Sequence, residues 1–346
     1  MKKGTQTKTS PILPFYNYNT STSDFPIPNH PNPDSDNMKT NIKNYLSLIK
    51  FSHTIFAMPF ALIGFCLGLL HFRFQGQVNL NATIGWPADN VVSLAMPSLI
   101  IKFILVILCM IFARSAAMAF NRWADAKWDA KNPRTAIREI PKGIITSKNA
   151  LAFVIINCVL FITATFFINQ LCFFLSPIAL LVVLGYSYTK RFTAWCHVVL
   201  GIGLSLAPIG AYLAVTGAFA LLPILFSFAV VFWVSGFDII YALQDEEFDK
   251  GEGLNSIPAA LGKSKALRVS ELLHVLSASC VLIAGFYGHF HWLYWIGTAV
   301  FMGMLLYQHS VVKPDDLRRV NLAFMTANGI ASVVFAVFVI ADMFFH

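Results

Sequence analysis

The sequence predicts an all-α integral membrane protein, and three observations predict it. Hydrophobic residues make up 57% of the 346-residue chain and charged residues only 12%, against about 25% charged in ordinary soluble domains. Apolar runs long enough to cross ~30 Å of hydrocarbon recur along most of the chain. The basic residues between those runs fall on alternate connections.

Residues 1–42 are rich in Asn, Pro, Ser and Thr and hold no Arg and no long apolar run. They are expected to be a disordered polar tail rather than a secretory or transit signal, with Met38 as an alternative start. The remainder, 43–346, reads as one transmembrane domain. Nine spans are expected, at 46–70, 94–119, 149–168, 170–189, 196–217, 220–241, 266–288, 291–310 and 319–344. Spans three and four are separated only at Asn169 and Gln170, and spans seven and eight at His289, so both pairs are expected to be tight hairpins.

The connections after even-numbered spans carry Arg122, Lys127, Lys131, Arg134, Arg138, Lys142 and Lys148; Lys190 and Arg191; Lys250, Lys263 and Lys265; and Lys313 and Arg318. Those after odd-numbered spans carry little besides Arg73. The positive-inside rule then places the amino terminus and the basic loops in the cytoplasm and the carboxyl terminus outside, with a bacterial inner membrane as the expected location. The net charge of +8 is read as topology, not nucleic-acid binding. The 71–93 insert is the long external loop; its NAT at Asn81 matches a glycosylation sequon, a weak motif. The six cysteines form no CxxC pair and read as small buried hydrophobes.

Chemistry concentrates in two polar segments. In NRWADAKWDAKNPRTAIR (121–138), Asn121, Asp125, Asp129 and Asn132 fall within roughly 80° on a helix. Pro133 is expected to end that stripe in a turn carrying Arg134. In DIIYALQDEEFD (238–249), Asp238, Asp245 and Asp249 fall within roughly 40°. Carboxylates four apart on two segments suit a hard divalent cation shared with phosphate oxygens. The bland alternative is a set of solvated loop acids beside loop bases. Asp238 lies nearer the membrane, where an acid is costly and therefore a functional candidate.

A diphosphate also needs fixed cations, for which Arg134, Lys190 and Arg191 are the best candidates. Tyr186, Tyr188 and Tyr241 neighbour the polar segments and are candidates to face a carbocation. His53 and His197 sit near cytoplasmic span ends, either as satisfied helix-end residues or as substrate contacts.

These residues carry a resemblance. NRWADAKWDAKNPRT resembles the NxxxDxxxD motif and its NxRT extension in the UbiA superfamily of intramembrane prenyltransferases. YALQDEEFDKGEGLNSIPAALG resembles that superfamily's second DxxxD motif and SIP element, and FSHTIFAMPFALIGF and YSYTKRFTAWCHVVLG are also similar to it. The likeness runs from about Ser47 to the carboxyl terminus. It implies a UbiA-like bundle of nine transmembrane helices, a cavity opening to lipid and a polar cytoplasmic cap. It further implies transfer of a polyprenyl group from an allylic diphosphate to an acceptor, with Mg2+. Asp125, Asp129, Asp245 and Asp249 take the metal roles, with Asp238 as a further catalytic candidate. Asn121, Arg122, Asn132, Arg134, Lys190, Arg191, Tyr241, His53 and His197 are the candidate substrate contacts.

Within the superfamily the pattern is most similar to the quinone branch that acts on 4-hydroxybenzoate. After KRFT, however, this chain has AWCH where ubiquinone-pathway enzymes tend to have Pro-Gln, which resembles the menaquinone branch using futalosine-derived acids. Both acceptors stay open, as does the base that takes the ring proton. An ion-coupled transporter is the alternative from another class, but its acids belong at mid-membrane. A CDP-alcohol phosphotransferase would carry DGxxAR, which is absent. Protein partners are not indicated.

Overall fold

The computed structural model describes residues 44–49, 56–75 and 96–345, all within the unit Ile42–His346. The polar tail, His53, the Asn81 sequon and most of the 71–93 insert lie outside the described residues.

Nine helices of 18 or more residues occupy the described chain: α1 Met58–Gln75, α2 Met96–Ala124, α3 Ser147–Ile168, α4 Gln170–Thr189, α5 Cys196–Thr216, α6 Leu221–Ala242, α7 Lys263–Tyr287, α8 Trp292–Val311 and α9 Asn328–Phe345. By length and apolarity alone, seven helical spans qualify as membrane-crossing. The other two are α1, whose apolar part Met58–His71 is short, and α8, whose ends carry Trp, Tyr, Gln and His. The crossing count of nine is therefore supported in part. The first predicted span also starts late: residues 44–48 are a separate helical segment, and α1 begins at Met58 with Pro59 in its first turn, a position proline favours.

The expected α3–α4 hairpin turns on one residue. Asn169 accepts from Cys172 N at 2.8 Å as the α4 N-cap and donates to Leu213 O at 2.8 Å on α5. At the other tight turn, Asp342 of α9 accepts from His291 N (2.8 Å) and Tyr294 N (3.2 Å), closing donors that the start of α8 leaves open.

Without a hydrophobic drive between helices in lipid, close contact and internal polar bonds hold the bundle. A Cβ on Gly64 of α1 would lie 2.0 Å from Pro208 O of α5, and one on Gly201 of α5 would lie 2.5 Å from Val231 O of α6. Phe60, Trp233, Phe301 and Phe335 interlock at the centre, with ring centroids 5.3–6.4 Å apart. The π-helical stretch Leu322–Ala327 leads into α9. Its loosened carbonyls at Ala323 and Phe324 are taken by Asn328 Nδ2, while Asn328 Oδ1 accepts from Trp233 Nε1 (2.9 Å) and Gln308 Nε2 (2.8 Å).

Candidate active site

The backbone carries the first acidic stripe much as the spacing requires. α2 ends at Ala124, and the next helix, Ala126–Lys131, continues its i to i−4 ladder: Asp125 N donates to Asn121 O (2.9 Å) and Asp129 N to Asp125 O (2.8 Å). Asn132, before Pro133, turns extended at ψ 117°, and the chain swings Arg134 across the site. The second motif is less regular than a single helix. A 3-10 turn, Leu243–Asp245, interrupts it before the helix Glu246–Gly251.

Each of the four predicted metal acids faces its own base. Arg191 stands 3.7 Å from Asp125, Arg138 places one terminal nitrogen 2.7 and 2.8 Å from the two Asp129 oxygens, Arg134 grips Asp245 with two donors, and Lys190 lies 2.7 Å from Asp249. The two motifs also touch directly, through Asn132 Nδ2 to Asp245 Oδ1 (3.2 Å) and the Lys131–Glu252 ion pair. Asn121 Nδ2 supports Asp125 Oδ2 at 3.0 Å. Tyr241 receives a bond from Arg134 (2.9 Å), and Arg191 lies over the rings of Trp128 and Tyr188.

Burial, and then the Asp129 charge, push the Asp125 carboxyl up to about 6 despite Arg191. Burial also works against the Lys190 charge, but Asp249 more than restores it, so the ammonium titrates above its ordinary range.

Asp249 is fully buried. Its Oδ2 accepts from Ser256 Oγ at 2.9 Å, whereas Oδ1 makes no directed hydrogen bond. Oδ1 has the Lys190 ammonium 2.7 Å away as its ion partner. A buried carboxylate oxygen with spare capacity in an all-oxygen donor set fits a hard divalent cation. No group of three or more His, Cys, Asp or Glu is already gathered for a metal among the described residues.

Two predicted contacts turn elsewhere. Arg122, 3% exposed, pairs with Glu139 at 3.4 Å, the same carboxylate that accepts from Ser47. His197 uses both ring nitrogens on protein groups, Asp238 Oδ2 (2.7 Å) and Ile257 N (3.4 Å). Asp238 is thus held by His197, with its side chain 23% exposed.

Below the acids a cavity of about 390 Å³ runs between α2, α3, α4 and α5. Its lining is mostly apolar, with Arg114 and Tyr186 entering it and Thr165 and Ser176 as further polar residues, and it is open at the side where Ile178 and Phe219 line it while more than half exposed. Arg114 lies one face and about 10 Å along α2 from Asn121, with its Nε buried and without a partner. Tyr186 faces the charges of Asp125, Asp238, Arg114 and Arg122. Motif spacing singles out neither Arg114 nor Arg138. Arg114 had a legible signal, an arginine inside an apolar run.

A helical membrane bundle with two acidic motifs meeting at one end, above an apolar cavity, defines an integral membrane enzyme that handles a polar head on an apolar chain. The chain belongs to the UbiA prenyltransferase family, whose model matches residues 90–330, and is a membrane prenyltransferase. It is 30% identical over 278 residues to the 4-hydroxybenzoate octaprenyltransferase of Aliivibrio fischeri, covering 76% of this chain and 93% of that one. The apo structure of a UbiA homolog from Aeropyrum pernix matches with a TM-score of 0.70 at 29% identity, over 84% of this chain and 98% of that chain. A UbiA homolog from Archaeoglobus fulgidus bound to DMAPP and Mg2+ matches with a TM-score of 0.63 at 21% identity, over 87% and 99%.

Proposed function

We propose that this enzyme transfers a polyprenyl group from an allylic diphosphate to an aromatic acid such as 4-hydroxybenzoate, with Mg2+, in quinone biosynthesis. The observation that carries the reading is the one-to-one pairing of four acids with four bases, in a bundle whose apolar cavity takes in Arg114 from the helix that leads to the first motif. A diphosphate entering with metal gives those bases a second anionic partner, so Arg134, Arg138, Lys190 and Arg191 pass from carboxylate to phosphate oxygens. Asp125, Asp129, Asp245 and Asp249 are then free to hold the metal. When bound, Mg2+ stabilises the negative charge of the departing diphosphate.

The donor's carbon–oxygen bond breaks with its electron pair going to the diphosphate. The allylic cation lies against the Tyr186 ring, in a cavity that excludes water. An aromatic ring carbon attacks it, a carbon–carbon bond forms, and the ring proton passes to Asp238. Arg114 holds the acceptor's carboxylate, the anion best matched to a buried guanidinium with an unused donor. The isoprenoid tail lies along α2–α5 and out toward lipid. The charge pattern of the loops supports a cytoplasmic site.

Arg114 suits any aromatic acid, so an acceptor of the futalosine menaquinone branch is the second reading, favoured by Cys196 and His197 standing where Pro-Gln is usual. Purified protein with Mg2+, a prenyl diphosphate and a panel of aromatic acids, read by mass spectrometry, is the test. Prenylated 4-hydroxybenzoate supports the first reading and another prenylated acid the second. No product with any acid, together with ion uptake into proteoliposomes, would support a transporter instead.

A further inference from the structure

We infer that His197 is a positioning residue for Asp238, and that through Ile257 it ties this carboxylate to the turn that holds Asp249. The inference rests on the reading that Asp238 accepts the ring proton.

His197 lies in the first turn of α5 and is 3% exposed. Its Nε2 faces the backbone N–H of Ile257 at 3.4 Å, which makes that nitrogen the acceptor and leaves Nδ1 as the protonated donor to Asp238 Oδ2 at 2.7 Å. The Ile257 N–H is available because it opens the short helix Ile257–Leu261, whose first donors have no partner within the helix. The N-cap of that helix is Ser256, fully buried. Its hydroxyl accepts from Ala259 N (3.2 Å) and donates to Asp249 Oδ2 (2.9 Å).

An unbroken path therefore runs from Asp249 through the Ser256–Ile257 peptide to His197 and Asp238. The His197 carbonyl lies 3.2 Å from Ser235 Oγ, whose hydroxyl also bonds Val231 O at 2.6 Å. Among the described residues Asp238 Oδ1 makes no hydrogen bond, and the side chain is 23% exposed, so the oxygen not held by His197 is left to take a proton. A carboxylate on a single Cβ–Cγ axis, fixed at one oxygen, has the other fixed in direction. Its partner His197 in turn also accepts from Ile257 N, in the turn that follows the second acidic motif. Engagement of Asp249 by ligand and aiming of Asp238 at the acceptor are by this path parts of one arrangement.

The experiment compares His197→Gln, His197→Asn, Asp238→Asn and the double variant His197→Gln/Asp238→Asn. The Gln amide reaches toward Ile257 and abandons Asp238; the Asn amide sits near the Nδ1 position and keeps the bond to Asp238. Two rates are read with Mg2+ and prenyl diphosphate: transfer to the aromatic acid, and diphosphate release without acceptor. His197→Gln is expected to lose about 10- to 100-fold in transfer kcat, with donor KM and acceptor-free diphosphate release unchanged. His197→Asn is expected to recover part of that loss, and the double variant to be no slower than Asp238→Asn alone. Equal loss of transfer and diphosphate release, additive losses in the double variant, or Asn no better than Gln would each overturn the inference. If His197→Gln fails to fold in detergent, the comparison of His197→Asn with wild type in both rates decides it by the same criterion. Failure of the wild-type chain to prenylate any acid would overturn the functional reading and this inference with it, and is recognised by the wild-type lane alone.

Discussion

Arg134 straddles Asp245, with Nε 3.1 Å from one carboxylate oxygen and a terminal nitrogen 2.5 Å from the other, while its second terminal nitrogen reaches the Tyr241 hydroxyl at 2.9 Å. One guanidinium from the first motif is thus the clasp on the second. A lysine cannot reproduce this fork. Arg134→Lys is expected to raise the donor KM about 10-fold, a change checked by steady-state kinetics with varied prenyl diphosphate.

Loss of either half of the acid set is expected to stop the reaction. Asp125→Ala or Asp245→Ala should lower transfer by about 100-fold or more while the protein still elutes as a folded species in detergent. Chelation of divalent cations should do the same to the wild type, reversed by Mg2+. Unchanged turnover with both acids removed would end the two-motif site.

The raised Asp125 carboxyl has a consequence for pH. A proton held up to about pH 6 in the folded, metal-free chain must leave before a cation binds. The metal-free fold gains stability from this group as pH falls through 6, whereas metal affinity weakens over the same interval. The thermal shift produced by Mg2+ should therefore be larger at about pH 7.5 than at about pH 5, and Asp125→Asn should remove that difference.

Arg114→Leu separates the two substrates. The acceptor KM is expected to rise by about 10- to 100-fold, with donor KM and metal response unchanged. Replacing a buried guanidinium that has an unpartnered nitrogen by an apolar side chain should leave stability equal or higher. A rise in donor KM instead would move Arg114 to the diphosphate.

Asp342 is expected to matter only for the fold. It closes the first donors of α8, at the end of the bundle opposite the acidic motifs. Asp342→Ala should cost about 1–3 kcal/mol, seen as a lower melting temperature, with kcat and both KM values kept below that temperature.

How much of this was legible varied with the length scale involved. The α4 span, 170–189, coincides with Gln170–Thr189, because long apolar runs and a capping Asn169 are local signals. That the two acidic motifs meet, as Asn132 and Asp245 do, was expected from their spacing and from the family resemblance. Their individual bases were not: Arg138 looked like one more loop cation, and Arg122 looked like a contact when it is bound to Glu139. Those assignments depend on which way the turn after Asn132 folds back, and several loop cations offer the same charge.

The sequence by itself determined the membrane class, the hairpins and the two acidic motifs that meet at one end of the bundle, because hydropathy, charge alternation and residue period act over a few neighbouring turns. Only the tertiary structure decided that Arg134 closes on Asp245, that Arg114 enters the apolar cavity, and that His197 is spent between Asp238 and Ile257. Those pairings join residues tens to more than a hundred positions apart, and their geometry follows from how α2, α4, α5 and α6 pack.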